Sequence, residues 1–339
     1  NVKEKLNSII LSMAEHHWLF SKNPGHDFTR QHLGKLSFYD TMRLIISMGK
    51  GSTNDEIMDY FDLDPDLIPS QSAFCQRRRQ ISLSAFEYLF SEFSSSFPST
   101  TDKFKDHCIL ACDGCHVVYA TNSDIIEDYN KPRLIDYKGY NHMHLNGFVD
   151  VISKAFLDVV IQPGQQPDER EALHSMLDHF TPDDPQKYII TADRGYESYD
   201  LLFHCELKNL GYVFRVKSPS SQKSILSYYA SEFPDDLEEF DVTIKRFFTD
   251  KATNIMKSQS DVYRYINPSK NTPHFYELLR KNHSHLYFLQ FRVVKIKTAG
   301  ISKTGNLLPD SVQFRHFYRK RSGRRKPEKE TGWQQQVSL

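Results

Sequence analysis

Two aspartates stand where short apolar runs end. Residues 108–112 are continuously apolar and run into Asp113, and residues 188–192 run in the same way into Asp193. A carboxylate just past a buried strand is costly to desolvate unless it is paired or binds a cation. If the two strands are neighbours, Asp113 and Asp193 converge at one end of a sheet. Hard oxygen donors suit Mg²⁺ or Mn²⁺. Two such ions, roughly 3.5–4 Å apart, would activate a water and stabilise the leaving oxygen in phosphodiester cleavage. A plainer reading stays open here: Asp113-Gly114 is a common turn dipeptide, and either aspartate can serve as a helix cap.

Other residues offer other chemistry. Cys108, Cys112 and Cys115 carry the spacing of an iron–sulfur motif, but strand residues four apart lie about 13 Å from each other. Buried free thiols fit that pattern better. A zinc site joining these cysteines to His107 or His116 is a further alternative. His142 and His144 alternate with Met143 and Leu145 and share one strand face. Pro163-Gly164 is a turn, and no Walker pattern occurs. Arg215 and Lys217 point outward on either side of Val216, where they either meet a DNA backbone or form a solvated face.

The elements that position these residues change along the chain. Residues 1–100 read as helical: Ile10, Met13, Ala14 and Trp18 share a face, as do Met42, Leu44 and Ile45. A helix start at 53–56, a turn rich in Asp and Pro at 63–69, and a helix capped by Ser70 or Ser72 and carrying Arg77, Arg78 and Arg79 are compatible with a helix-turn-helix that binds DNA. The plainer alternative is a helical hairpin with solvated arginines. A Ser-rich stretch at 94–101 reads as a linker. Residues 101–217 follow the order β-β-β-α-β-α-β. Strands are expected at 108–112, 143–152, 156–162, 188–192 and 212–217, with helices from Pro167-Asp168 and over 197–210, the latter stopped by Gly211. That is an α/β layer with a mixed sheet. Residues 218–310 look strand-rich, at 240–248, 261–267 and 285–297, and form either an inserted subdomain or a second domain. Residues 311–339 return to the core layer and end in a tail that is basic over 313–330.

Composition bounds the reading. The chain has 339 residues, with 43 basic against 43 acidic groups and 13% aromatics, so charge-driven binding must come from local patches. Mean hydropathy is −0.56, and no apolar run reaches the roughly 18 residues that span a bilayer, so no membrane partner is expected. Five cysteines make no disulfide framework, which suits a reducing cytoplasm. Asn1 rather than Met opens the chain and no signal peptide follows, so an incomplete reading frame is expected.

Three blocks resemble a known family: Cys112-Asp113-Gly114-Cys115, Thr191-Ala192-Asp193-Arg194-Gly195-Tyr196, and Tyr212-Val213-Phe214-Arg215-Val216-Lys217. Together they are similar to the insertion-sequence DDE transposases of cut-and-paste type, and Tyr318-Arg319-Lys320-Arg321 resembles the start of that family's Tyr-Arg-Glu-Lys signature. The resemblance implies an RNase H-like mixed sheet with flanking helices, interrupted by a β-rich insertion and preceded by an all-α DNA-binding domain. It implies a pair of Mg²⁺ or Mn²⁺ ions held by Asp113, Asp193 and a third acid. It also implies Tyr318 and Arg321 near the transposon end, and action on double-stranded DNA at terminal inverted repeats and at a target. A homodimer on paired ends, in a bacterial cytoplasm at the nucleoid, follows from the same resemblance. The signature's Glu and Lys positions hold Arg325 and Gly332, Ser322 replaces a frequent Trp, and residues from Ser322 onward read as an out-of-frame tail. The chain is therefore expected to lack its third catalytic acid and to cleave no DNA. The alternatives are an inactive DNA-binding remnant of a transposase and an unrelated metal-dependent nuclease.

Overall fold

The computed structural model describes residues 1–29, 36–96, 103–131, 138–234, 239–267, 272–301 and 307–317, which fall into two compact units, 1–101 and 102–339. The first unit is helical: α1 (Val2–Glu15), α2 (Phe38–Ser47), α3 (Thr53–Tyr60), α4 (Gln71–Gln80) and α5 (Ser84–Ser95). Reciprocal capping boxes start α2 (Ser37 with Asp40) and α3 (Ser52 with Asp55), satisfying amide donors that would otherwise be orphaned. Ile10, Met13, Met42 and Ala85 pack in one cluster, and Leu44, Ile57 and Phe74 in another.

The helix-turn-helix expectation meets a difference in this unit. Residues 61–70 separate α3 from α4, well beyond a three- to four-residue turn. Asp62 and Leu63 adopt left-handed φ values of 50° and 60° there. The Ser-rich stretch is helical through Ser95, and residues 97–102 lie outside the described residues.

The second unit is built on β1 (Cys108–Tyr119), β2 (Tyr129–Asn130), β3 (Tyr140–Asp150), β4 (Phe156–Pro163), α6 (Glu169–His179), β5 (Tyr188–Ala192), α7 (Tyr199–Leu207) and β6 (Gly211–Val216). It continues through β7 (Phe240–Thr249), α8 (Asn254–Ser258), β8 (Tyr263–Tyr265), α9 (Pro273–Lys281), β9 (Leu286–Ile301) and β10 (Leu307–Phe317). The strands form one mixed sheet in the order β2-β3-β1-β5-β6-β10-β9-β7-β8, with β4 also paired to β3. The core strands β4, β3, β1, β5 and β6 make an RNase H-like layer: β1 runs antiparallel to β3 and parallel to β5, and β5 runs parallel to β6.

The 218–310 segment belongs to this same unit and core. Its strands reach the core sheet through β10, which pairs with β6 at Phe314↔Val216 and Arg315↔Arg215. One cluster runs from Leu110, Phe148 and Ile190 through Leu173, Leu177 and Phe203 to Phe248, Phe275 and Phe291. Each such fully buried side chain contributes roughly 1.5–3 kcal/mol. Helix α7 lies inside that core, and all of Asp200–Cys205 is buried, the pattern of a helix covered on every side. Its end is set by Asn209, at φ 58°, and Gly211 already belongs to β6. Among the described residues no helix is long and apolar enough to cross a membrane.

Candidate active site

Asp113 and Asp193 come together through strand pairing. Cys112 pairs with Ala192 as the last registered pair of β1 and β5, and each aspartate is the next residue on its chain. Neighbouring strands lie about 4.8 Å apart, so the two acids share one end of the sheet. Cys112 and Ala192 are buried, whereas Asp113 and Asp193 are exposed. Asp113 Oδ1 accepts from the Gly114 amide at 2.9 Å, and Asp193 Oδ1 accepts from the Gly195 amide at 2.6 Å. Neither carboxylate has a cationic partner among the described residues.

A third carboxylate, which sequence reasoning missed, stands beside them. Asp168 caps α6 by accepting from the amides of Arg170 and Glu171. The Gln162 side chain ties that cap to the end of β4, with hydrogen bonds of 2.9 and 3.1 Å to the Asp168 backbone. Glu169 is thereby set against two glycines. A Cβ on Gly114 would fall 2.8 Å from Glu169 Oε1 and would collide with His144 Nε2. A Cβ on Gly195 would fall 2.9 Å from Asp193 Oδ1 and 3.5 Å from Glu169 Oε2. Gly114 has no side chain to hold this carboxylate off, and Gly195 leaves the same room for Asp193. The acidic run Asp168-Glu169-Arg170-Glu171 was the available signal, but it reads first as a helix N-terminus favouring negative charge.

Histidines back the carboxylates. His144, buried on β3, places Nε2 3.2 Å from Glu169 Oε1, an ion-pair distance without hydrogen-bond alignment. His116 stacks edge-on against both His142 and His144, with ring centroids 4.6 and 4.7 Å away. Desolvation, then the two neighbouring imidazoles, lowers the His116 pKa. His142 and His144 do share one face, and they are turned inward. Beneath the site, Cys112 Sγ donates to the buried Tyr196 hydroxyl at 3.5 Å. Burial, chiefly, pushes the Cys112 thiol up to about 12 and raises the Tyr196 phenol as well. Cys108, Cys112 and Cys115 all lie on the extended β1, so they cannot close on one cluster, and all five cysteines are free thiols.

The basic residues separate into groups. Arg215 is exposed on β6. Lys217 is engaged by Glu197, whose side chain is fully buried: Glu197 Oε2 accepts from the Lys217 amide at 2.9 Å and lies 3.5 Å from Lys217 Nζ. In α4, Arg78 and Arg79 are exposed, but Arg77 is half-buried, lies 5.1 Å over the Phe28 ring and donates to Gln80 Oε1 at 3.0 Å. Consecutive helical residues are about 100° apart, so the three arginines cannot present one surface. Tyr318 and Arg321, with Arg325 and Gly332, lie outside the described residues.

Three exposed or half-exposed carboxylates at one sheet end, two of them without a cation, form a donor set that fits hard divalent ions. No curated protein matches the chain in sequence. The chain is similar to piggyBac transposase in a cryo-EM structure of its synaptic complex with hairpin DNA, at 10% identity and a TM-score of 0.36. That similarity covers 85% of this chain and 59% of the other, so this chain spans less than two thirds of that transposase. The family described as the transposase DDE domain matches residues 104–323, a stretch that holds Asp113, Asp193 and Glu169 and takes in most of the chain. The chain belongs to the transposase DDE domain family.

Proposed function

We propose that this chain cuts and joins DNA at the ends of a mobile element, as a metal-dependent transposase. The observation that carries this reading is the placement of Asp113 and Asp193. Each lies one residue beyond the Cys112↔Ala192 pair of two parallel neighbouring strands, within the family-matched region. Asp113, Asp193 and Glu169 would hold Mg²⁺ or Mn²⁺, two ions in all. When bound, such ions supply an activated water and stabilise charge on the leaving 3′ oxygen. The protein's own part is to hold three carboxylates ready at a rigid sheet end, with His144 backing Glu169. Glu169 takes the place of the acid that the signature puts where Arg325 stands. The substrate is duplex DNA carrying terminal inverted repeats, then target DNA, handled by a homodimer on paired ends in the bacterial cytoplasm at the nucleoid. Exposed Arg78, Arg79 and Arg215 would neutralise phosphates, and binding would weaken steeply with salt.

The test is cleavage of a duplex bearing the sequences that flank the protein's own coding region, with MgCl₂ or MnCl₂. Asp113→Asn, Asp193→Asn and Glu169→Gln should each lower cleavage by about 10²–10⁴-fold. Undiminished cleavage by Asp113→Asn would overturn the assignment. A second reading, an inactive remnant that still binds DNA, is favoured by Arg325 and Gly332 at the signature's Glu and Lys spacings. Salt-sensitive binding of that duplex by the wild-type chain, with no cleavage in either metal, would select it.

A further inference from the structure

A second polar cluster lies inside the same unit, and the transposase reading uses none of it. His174 comes from α6, His204 from α7 and His274 from α9. Each contributes one ring nitrogen to a set lying within 4.8 Å of one another. Their side chains are only 12%, 2% and 14% exposed. The rings stack nearly parallel, with His204 and His274 centroids 3.9 Å apart. Three imidazoles packed together in a protein interior need a reason.

The nitrogens that face away from the cluster supply one. His274 Nδ1 lies 2.6 Å from Asp200 Oδ2, His174 Nε2 lies 3.7 Å from the same oxygen, and His204 Nε2 lies 3.2 Å from Asp178 Oδ1. The His274 Nδ1–H donates to Asp200, which fixes that ring and leaves a lone pair on its other nitrogen, the arrangement that surrounds bound metals, while His174 and His204 lie at ion-pair distance from Asp200 and Asp178. The remaining nitrogens are His174 Nδ1, His204 Nδ1 and His274 Nε2. The first two face each other at 2.8 Å. Without an ion one of these nitrogens donates to the other; a cation bound by both lone pairs would take the place of that proton.

We infer that His174, His204 and His274 form a binding site for a single zinc ion that ties α6 and α7 of the core to α9 of the β-rich segment. Neutral imidazoles suit zinc over magnesium. Tetrahedral bonds of 2.0–2.1 Å set donors roughly 3.4 Å apart, between the 2.8 Å contact and the 4.8 Å limit of this set. A cavity of about 400 Å³ lined by Glu171, His174, Asp178, Asp200 and His274 adjoins two of the three histidines, from which an ion would enter. Asp200 is placed independently of any ion, because its Oδ1 accepts from the His274 amide at 3.0 Å and the Phe275 amide at 3.4 Å at the start of α9.

The full-length chain, stripped with chelator and titrated with Zn²⁺ or Co²⁺, tests this. With excess Mg²⁺ present to occupy the carboxylate site, one equivalent should bind, and Co²⁺ should show the intense visible d–d bands of a tetrahedral site. His174→Gln and His274→Gln should each weaken binding by roughly 100-fold or more, whereas Asp113→Asn and Asp193→Asn should leave it unchanged. X-ray absorption at the zinc edge of the wild-type protein should give three nitrogen donors at 2.0–2.1 Å, a readout that needs no variant to fold. Failure to bind one equivalent, an all-oxygen shell, or binding that folded His174→Gln and His274→Gln leave intact would each overturn the site.

Discussion

The carboxylate end of the sheet and the histidine cluster under α7 sit in one unit and use opposite physics. At the sheet end, Asp113 and Asp193 are exposed, each accepts a single backbone amide, and like charges stand together without a cation among the described residues. In the histidine cluster, Asp200 is 3% exposed and is surrounded by two imidazoles and two backbone amides. The first region keeps its charge unsatisfied, so it is available to something that binds. The second satisfies the Asp200 charge internally, so that carboxylate ties α7 to α9 whether or not the histidines hold an ion. Removing a side chain should therefore cost function in one and folding in the other.

The sharpest way to break that contrast is to delete one acid from each. Asp200→Ala removes the carboxylate that starts α9 and orients two histidines, and stripping one partner from a buried charged network costs about 3–5 kcal/mol. Asp113→Ala relieves repulsion at an exposed position and should stay within about 0.5 kcal/mol. Urea unfolding of both variants in chelator measures the difference. Comparable losses would mean that the sheet-end acids are structural after all.

Two glutamates sharpen the comparison further. Glu197 lies four residues past Asp193, yet its side chain is fully buried and engages the Lys217 amide and Nζ and the Ile225 amide. Glu169 is 36% exposed at its side chain. Glu197→Gln replaces an acceptor with donors facing an N–H and an ammonium, at a cost of about 1–3 kcal/mol. Glu169→Gln should leave the unfolding midpoint nearly in place while lowering metal-dependent cleavage. Gly114→Ala probes the border between the regions. Its Cβ would collide with His144 Nε2, so a buried ring must shift. We expect a loss of about 1–3 kcal/mol, together with reduced cleavage as Glu169 is displaced.

The same contrast decides what could be read from the chain alone. β5 is legible to the residue because an apolar run is bounded by Pro185 and Asp193. The strands at 240–248 and 285–297 also lie close to β7 and β9. β1 runs seven residues past the expected end at Cys112, to Tyr119, because beyond Asp113 it pairs only with β3 and its exposed residues carry no apolar pattern. α9 was missed although Phe275, Leu278 and Leu279 sit at helical spacing, because one short helix interrupts a strand-rich stretch. Asp113 and Asp193 stand out because each follows its strand directly in sequence. Glu169 and the three histidines do not: they meet only after α6, α7 and α9 pack, and His174 and His274 are separated by a hundred residues. Burial of α7 on all sides also erased the periodicity that would have marked His204 as interior.

The smallest effect we predict repeats the contrast on a single helix. Arg77, Arg78 and Arg79 are consecutive in α4, and as a motif they read as one basic patch. In the structure Arg77 is committed to the Phe28 ring and Gln80, and burial lowers its pKa, while Arg79 is exposed. Arg77→Ala should cost about 0.5–1 kcal/mol through the lost cation–π contact, with little change in how DNA affinity depends on salt. Arg79→Ala should leave stability alone. If it contacts a phosphate, the slope of log affinity against log salt should flatten by about 0.9. Filter binding to duplex across a salt series, beside thermal unfolding of both variants, separates the two. A flattened slope for Arg77→Ala, with unchanged stability, would show that α4 turns a different face to DNA and that Arg77 leaves Phe28 to make the contact.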